Sequence, residues 1–195
     1  MSHKQIQKMV GLAIFTAVVI VLQLLGSFIK VGTFSISLVL IPIVVGAAVY
    51  GAGAGAFLGG VFGVVVTIAC INGSDWGGNL LFTQSPALTI LICMVKGIAA
   101  GAAAGWVYRL LAGKNAYLAV AVSALAAPVV NTGLFCLGMR FFFYDTLVAW
   151  AAGQSLVYYV FIGLIGVNFL LETLINLVCS PIILRILNAV KRVEK

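Results

Sequence analysis

The stretch VGTFSISLVLIPIVVGAAVYGAGAGAFLGGVFGVVVTIACINGS runs from Val31 to Ser74 without a charged residue, and it decides the fold. One crossing of a bilayer takes about 20 apolar residues, so a run of this length predicts two helices rather than one. Its centre, Tyr50-Gly51-Ala52-Gly53, is rich in glycine and predicts the turn between the two helices. The stretch therefore predicts a hairpin of membrane-spanning helices.

The composition of the whole chain also indicates a membrane protein. Of its 195 residues, 64% are hydrophobic and only 8% are charged, and the mean hydropathy is +1.24. A soluble domain is about a quarter charged, and a soluble globule of this size cannot hide so much apolar surface. These values exclude a soluble enzyme, a disordered tail and a nucleic-acid-binding protein.

Uncharged runs on both sides of the hairpin complete an all-α fold in a single transmembrane domain, residues 1–195. The six predicted spans are 9–28, 35–50, 53–71, 86–111, 116–142 and 156–187. The second span looks short, and the last two are longer than a bilayer requires, so we expect them to tilt or protrude.

Six crossings place both termini on one side of the membrane, and most basic residues share that side. They are Lys4, Lys8, Arg109, Lys114, Arg185, Lys191, Arg192 and Lys195. Only Lys30 and Arg140 lie near the other side. The positive-inside rule makes the crowded side cytoplasmic, so we predict a multi-pass protein of a prokaryotic plasma membrane. The net charge of +7 reflects this topology rather than binding to nucleic acid.

Two ladders of glycine recur at four-residue spacing. One comprises Gly51, Gly55, Gly59 and Gly63, and the other comprises Gly97, Gly101 and Gly105. Small residues at this spacing allow helix backbones to approach closely. The ladders therefore predict close packing inside the bundle, or else a surface on which another membrane protein docks.

Polar residues inside predicted spans are the first candidates for a site, because such residues are rare and usually functional. Counting 1.5 Å per residue from the inner ends places Lys96, Glu172 and Asn131 at one depth, about 20 Å from the inner surface. Asn168 lies one turn beyond Glu172 on the same helix face. Two interpretations remain open: a structural Lys96–Glu172 ion pair with helix-bridging asparagines, or the floor of a ligand cavity.

The longer connections all face the predicted outside, where loops on a rigid scaffold commonly bind ligands. Trp76 and Asn79 lie in the connection 72–85, and Trp150 lies in 143–155. With Arg140 at the outer end of the fifth span, these residues complete the predicted substrate-binding set. Aromatic walls with a few convergent polar groups are typical of small-molecule sites.

Catalytic and metal-binding patterns are missing from the sequence. It contains no P-loop, no carboxylate cluster for Mg²⁺ and no Ser-His or Cys-His pair, and its four cysteines fall one per apolar stretch. We therefore expect no catalytic residues, no metal and no cofactor. The chain is predicted to bind a ligand in the membrane without hydrolysing ATP itself. The alternative is a self-contained small carrier or channel.

Four stretches resemble the substrate-binding S components of energy-coupling factor (ECF) transporters, and together they span nearly the whole chain. They are Leu12–Gln23 (LAIFTAVVIVLQ), Phe34–Gly63 (FSISLVLIPIVVGAAVYGAGAGAFLGGVFG), Pro128–Gly133 (PVVNTG) and Asn168–Pro181 (NFLLETLINLVCSP). The resemblance implies high-affinity capture of a water-soluble vitamin or related micronutrient. It also implies docking on a transmembrane coupling protein driven by two cytoplasmic ATPases, through Ala13 and Ala17.

The resemblance does not extend to the ligand, for which only side-chain chemistry is informative. Lys96 and Arg140 would suit a carboxylate, as in pantothenate, biotin or folate, and pantothenate is the first choice. A cationic ligand such as thiamine would instead need Glu172 to be unpaired, or help from Asp75 and Asp145.

Overall fold

The computed structural model describes residues 3–27, 30–31, 34–35, 38–164 and 166–193, and these are almost entirely helical. The α-helices are α1 (His3–Gly26), α2 (Leu40–Tyr50), α3 (Ala52–Asn72), α4 (Trp76–Gln84), α5 (Pro86–Leu111), α6 (Ala116–Phe142), α7 (Tyr144–Ala151), α8 (Leu156–Tyr158) and α9 (Gly166–Val193). A π-helix, Tyr159–Leu164, lies between α8 and α9. Two short antiparallel strands, β1 (Lys30–Val31) and β2 (Phe34–Ser35), pair Lys30 with Ser35.

The described residues contain five helices that are long and apolar enough to cross a membrane. These are Gln5–Gly26, Ala52–Asn72, Pro86–Leu111, Ala116–Phe142 and Phe169–Asn188. A sixth candidate is the bent pair Tyr144–Ala151 and Leu156–Leu164, whose halves meet at 92°, and α2 is a shorter apolar helix of 11 residues. This architecture confirms an all-α, multi-pass membrane protein, whereas the orientation of the termini stays a prediction.

The turn between α2 and α3 lies where the glycine-rich centre of the uncharged run places it. Gly51 ends α2 and begins α3 with φ of 92°, a region that side-chain-bearing residues rarely adopt. Its N–H donates to the carbonyl oxygen of Ala47 at 2.9 Å, which closes the last turn of α2. One glycine therefore joins two helices without an intervening loop.

The two glycine ladders face each other inside the bundle, along the contact between α3 and α5. A Cβ atom on Gly55 would overlap the carbonyl oxygen of Gly101, and one on Gly59 would overlap that of Gly97. The helices therefore touch backbone to backbone, which requires small residues on both. Of the two alternatives for the glycine ladders, the structure therefore shows close packing inside the bundle.

The structure differs from the sequence prediction in the outer connections, which contain the short helices α4 and α7. The Asp75 side chain accepts a hydrogen bond from the Gly78 N–H at 2.9 Å and so caps the start of α4. After α7 the chain reverses at Ala152 and Gly153, with φ of 48° and 85°. The predicted span 156–187 is therefore interrupted: α8 and the π-helix precede α9.

Buried apolar side chains form two clusters. The larger cluster joins α1, α2, α3, α5, α6 and α9, with Phe62, Leu58 and Ile43 fully buried at its centre. The smaller cluster gathers Leu81 of α4, Met139 of α6 and Leu147 of α7. We call α4 and α7 the cover helices, because this second cluster fastens them over one end of the bundle.

Candidate ligand-binding site

A small cavity of about 30 Å³ lies beneath α4, between α3, α5 and α6. Its walls are Val66, Cys70, Asp75, Gly78, Leu81, Thr89, Ile92, Cys93, Lys96 and Phe135. A volume of this size holds a few water molecules or one small polar group. Among the predicted site residues, Lys96 is the one that lines this cavity.

Local hydrogen bonds hold α4 in place above the cavity. The side-chain amide of Asn79 donates to the carbonyl oxygen of Cys70 at 2.8 Å, which ties α4 to the last turns of α3. Gly78 packs directly on the Cys70 sulfur, and a Cβ at this position would overlap it. Asn79 was predicted to bind substrate; in the structure its amide N–H positions the cover helix.

The ammonium group of Lys96 lies between two aromatic rings. Its Nζ is 5.6 Å from the ring centroid of Phe62 and 5.4 Å from that of Phe135. Such cation–π contacts contribute about 0.5–2 kcal/mol each, depending on how far the cation is desolvated. Within the described part of the chain Lys96 makes no ion pair with a carboxylate, so the Lys96–Glu172 pair, one of the two interpretations left open, is not formed there.

Lys96 also borders a second, larger space, a groove of about 280 Å³ between α5 and α6. The other lining side chains are apolar: Leu91, Ile92, Val95, Leu134, Leu137, Phe141 and Phe142, with Gly138. Leu91, Leu137 and Phe141 are exposed on the outside of the bundle. Long cationic side chains can lie along apolar surface while their charged end reaches a polar region, which here is the cavity beneath α4.

Two cysteines that the sequence places far apart line the same cavity. Cys70 of α3 and Cys93 of α5 are both buried, and their thiols lie close enough to interact. Neither forms a disulfide. The thiols therefore act as small polarizable wall groups.

A second layer of buried polar groups lies where α6 packs on α9. Asn131 of α6 is 5% exposed, and its side-chain oxygen has no hydrogen-bond partner among the described residues. Glu172 and Asn176 of α9 are 6% and 2% exposed. The Asn168 side chain falls outside the described part of the molecule. A buried amide oxygen without a partner is costly in a protein interior, so a ligand or water in this layer would be stabilised by Asn131.

The remaining predicted residues do not reach the cavity. Trp76 is 56% exposed at the start of α4. Arg140 is exposed, and its guanidinium stacks on the Tyr144 ring at 4.5 Å. Trp150 is half-buried and packs against the smaller apolar cluster. Sequence reasoning missed Phe62 and Phe135, because a phenylalanine in a span has no pattern that distinguishes a site wall from a packed core.

A hydrogen bond between side chains joins the two cover helices. The Thr146 hydroxyl of α7 donates to the side-chain oxygen of Gln84 at the end of α4, at 2.5 Å. Thr146 is buried and Gln84 is exposed. Any movement that lifts α4 from the cavity must therefore break this bond or carry α7 along.

Ala13 and Ala17 lie on an exposed face of α1. The neighbours on this face are also exposed and apolar: Ile6, Met9, Val10, Ile20, Val21 and Leu24. The opposite side of α1 packs on the hairpin, where Phe15 meets Tyr50 edge to face with centroids 6.3 Å apart. Ala13 and Ala17 are therefore available for contact with another membrane protein.

The family model for the substrate-specific component of ECF transporters matches residues 7–184. The chain belongs to this family. S components are substrate-binding proteins of membrane transport, which agrees with the absence of catalytic motifs from the sequence. No curated protein sequence matches the chain.

A solved structure of ThiT from Listeria monocytogenes is similar to this S component. The TM-score is 0.67 at 22% sequence identity, and the alignment covers 97% of this chain and 98% of the ThiT chain. At this level of identity the likeness shows the fold, not the ligand. The family shows a substrate-binding component of an ECF transporter, and its fold is that of a multi-pass membrane protein.

Proposed function

We propose that this S component captures a water-soluble vitamin from the outer face of the membrane with high affinity, and that pantothenate is the first ligand to test. The observation that carries the proposal is the cavity beneath α4, with the ammonium of Lys96 in its wall. A concave site with few polar groups among apolar walls is the usual form of a small-molecule site. The cover helices close it on the side that the charge distribution predicts to be outside.

The site has a second polar layer for the rest of a ligand. Asn131 offers an amide oxygen that has no hydrogen-bond partner among the described residues, and Glu172 is buried on α9, which packs on α6. Asn168, one turn from Glu172, completes the predicted set on α9. A vitamin with both an anionic end and neutral hydrogen-bonding groups would use the ammonium and the amides together.

Release of the ligand inward requires partners, because the sequence has no ATP-binding motif. We propose a complex with an ECF transmembrane coupling protein and two cytoplasmic ATPases, docked through the exposed face of α1 around Ala13 and Ala17. The absence of side-chain bulk at these two positions supports this surface, since small residues let helices approach closely.

The direct test is native mass spectrometry of the detergent-purified protein, which detects a retained small molecule. A vitamin or related micronutrient in one-to-one ratio is the expected result. Uptake by cells should then depend on the coupling protein and on ATP. Transport of the ligand by the protein alone in liposomes, without ATP, would instead favour a self-contained carrier.

A further inference from the structure

We infer that the ligand carries a carboxylate and that this group binds in the cavity beneath α4 against Lys96. This inference rests on the proposed function and names the chemical class of its substrate. The relevant observation is an intramembrane ammonium whose contacts in the described structure are aromatic rings rather than a carboxylate. A cation in this setting is a ready partner for an anion that enters from outside.

Of the two spaces beside Lys96, the cavity beneath α4 is better suited to bind the anion than the groove. Every other side chain in the groove between α5 and α6 is apolar, so the groove offers an anion no second polar contact. The cavity beneath α4 also contains the Thr89 hydroxyl and the two thiols. Thr89 already donates its hydrogen to the Ser85 carbonyl oxygen at 2.9 Å. Lys96 is therefore the strong donor of this cavity.

The two charged groups in the cavity wall, the Asp75 carboxylate and the Lys96 ammonium, have different contacts. Asp75 is the acidic residue in its wall, and the Asp75 carboxylate accepts the Gly78 N–H at the start of α4. That hydrogen bond places its negative charge at a helix N-terminus, where it is stabilised. The Lys96 ammonium remains for the ligand, held from two sides by Phe62 and Phe135.

The size of the cavity indicates which part of the ligand it holds. About 30 Å³ accommodates a terminal carboxylate but not a whole vitamin, so the body of the ligand must lie outside this space. Arg140, the other candidate cation, stacks on Tyr144 and does not line the cavity. The carboxylate of the ligand is therefore expected to occupy the cavity, while the rest of the molecule stays outside it.

The experiment measures binding of pantothenate, biotin and folate as carboxylates, of pantothenol and riboflavin as uncharged probes, and of thiamine as a cation. Any molecule retained through purification is added to the panel. The purified protein is compared with Lys96→Met, Lys96→Arg and the control Arg109→Gln, which removes an exposed cation from the last turn of the same helix. We expect one carboxylate to bind at least ~10-fold more tightly than its uncharged analogue.

Lys96→Met should weaken that carboxylate by ~10-fold or more and leave an uncharged analogue unchanged. Lys96→Arg and Arg109→Gln should stay within a few-fold of the original protein. The Lys96→Met protein is expected to remain folded, because the substitution removes a charge from a membrane span. If it does not fold, Lys96→Arg and the analogue comparison still decide the inference.

The outcomes separate this inference from the proposed function. The inference is overturned if the bound vitamin has no carboxylate, or if Lys96→Met leaves the affinity for the carboxylate ligand unchanged. Either result leaves the capture function intact. A purified protein that retains nothing and binds no member of the panel overturns both.

Discussion

Thr146 and Gln84 are 62 residues apart in sequence, and the hydrogen bond between their side chains joins α7 to the end of α4. It is a long-range link between two segments that the sequence presents as separate outer connections. One buried hydroxyl thus couples α7 to α4, the helix that lies against the cavity.

Loss of this bond should make the cover easier to open. A hydrogen bond contributes about 0.5–1.5 kcal/mol, so Thr146→Val is expected to speed ligand release by a few-fold and to raise hydrogen exchange in α4. The matched control is Thr83→Val, since the Thr83 hydroxyl donates only within its own helix, to the carbonyl oxygen of Leu80. Equal effects of both substitutions would show that the link does not restrain α4.

The glycine ladder predicts a sharp contrast between neighbouring positions of α3. Gly59→Ala should lower stability by about 1–3 kcal/mol, because its Cβ would overlap the Gly97 carbonyl and force the helices apart. Gly60→Ala meets only Ile98, at 3.5 Å, and should be neutral or stabilising by up to about 1 kcal/mol. Thermal unfolding in detergent measures both variants, and similar melting temperatures would contradict the close approach of α3 to α5.

The exposed face of α1 predicts a separation of uptake from binding. Ala13→Trp or Ala17→Trp should abolish uptake in cells while ligand binding by the isolated protein changes little, because both positions lie outside the packed core. Val178→Trp is the control, as Val178 is 66% exposed on α9. Ligand affinity that falls as far as uptake would assign these alanines to the interior instead.

The contacts of Lys96 predict little energetic coupling to Glu172. In a double-mutant cycle with Lys96→Met and Glu172→Gln, the coupling energy should stay below about 0.5 kcal/mol, the level found for residues that share no contact. A buried ion pair would give a larger value, with the double variant recovering stability that each single variant loses. Melting temperatures of the four proteins decide between the two.

Much of the helical scaffold was predictable, because long apolar runs indicate spans and clustered glycines indicate turns and close helix contacts. The uncharged run 31–74 predicts the α2–α3 hairpin, and its turn falls at Gly51. The segments 86–111 and 116–142 coincide with α5 and α6. In lipid a helix satisfies its own backbone groups, so apolar length alone sets such boundaries.

The site was less predictable, because its residues meet through packing rather than through sequence spacing. Lys96 was identified by its charge, but its aromatic neighbours Phe62 and Phe135 come from two other helices. The helices α4 and α7 were missed because short polar segments are typical of loops. Asp75 was considered only as a charge for a cationic ligand, and its role as a helix cap depends on local backbone geometry.

The contact between α3 and α5 also limits where this protein can change shape. Gly55, Gly59 and Gly63 meet the opposite backbone directly, so no side chain between the helices can switch rotamer to absorb a displacement. If one helix slid past the other, it would have to disrupt the backbone contacts at all three glycines at once. The pair therefore behaves as one rigid unit, so adjustment to an arriving ligand is left to elements outside this contact, such as the cover helices.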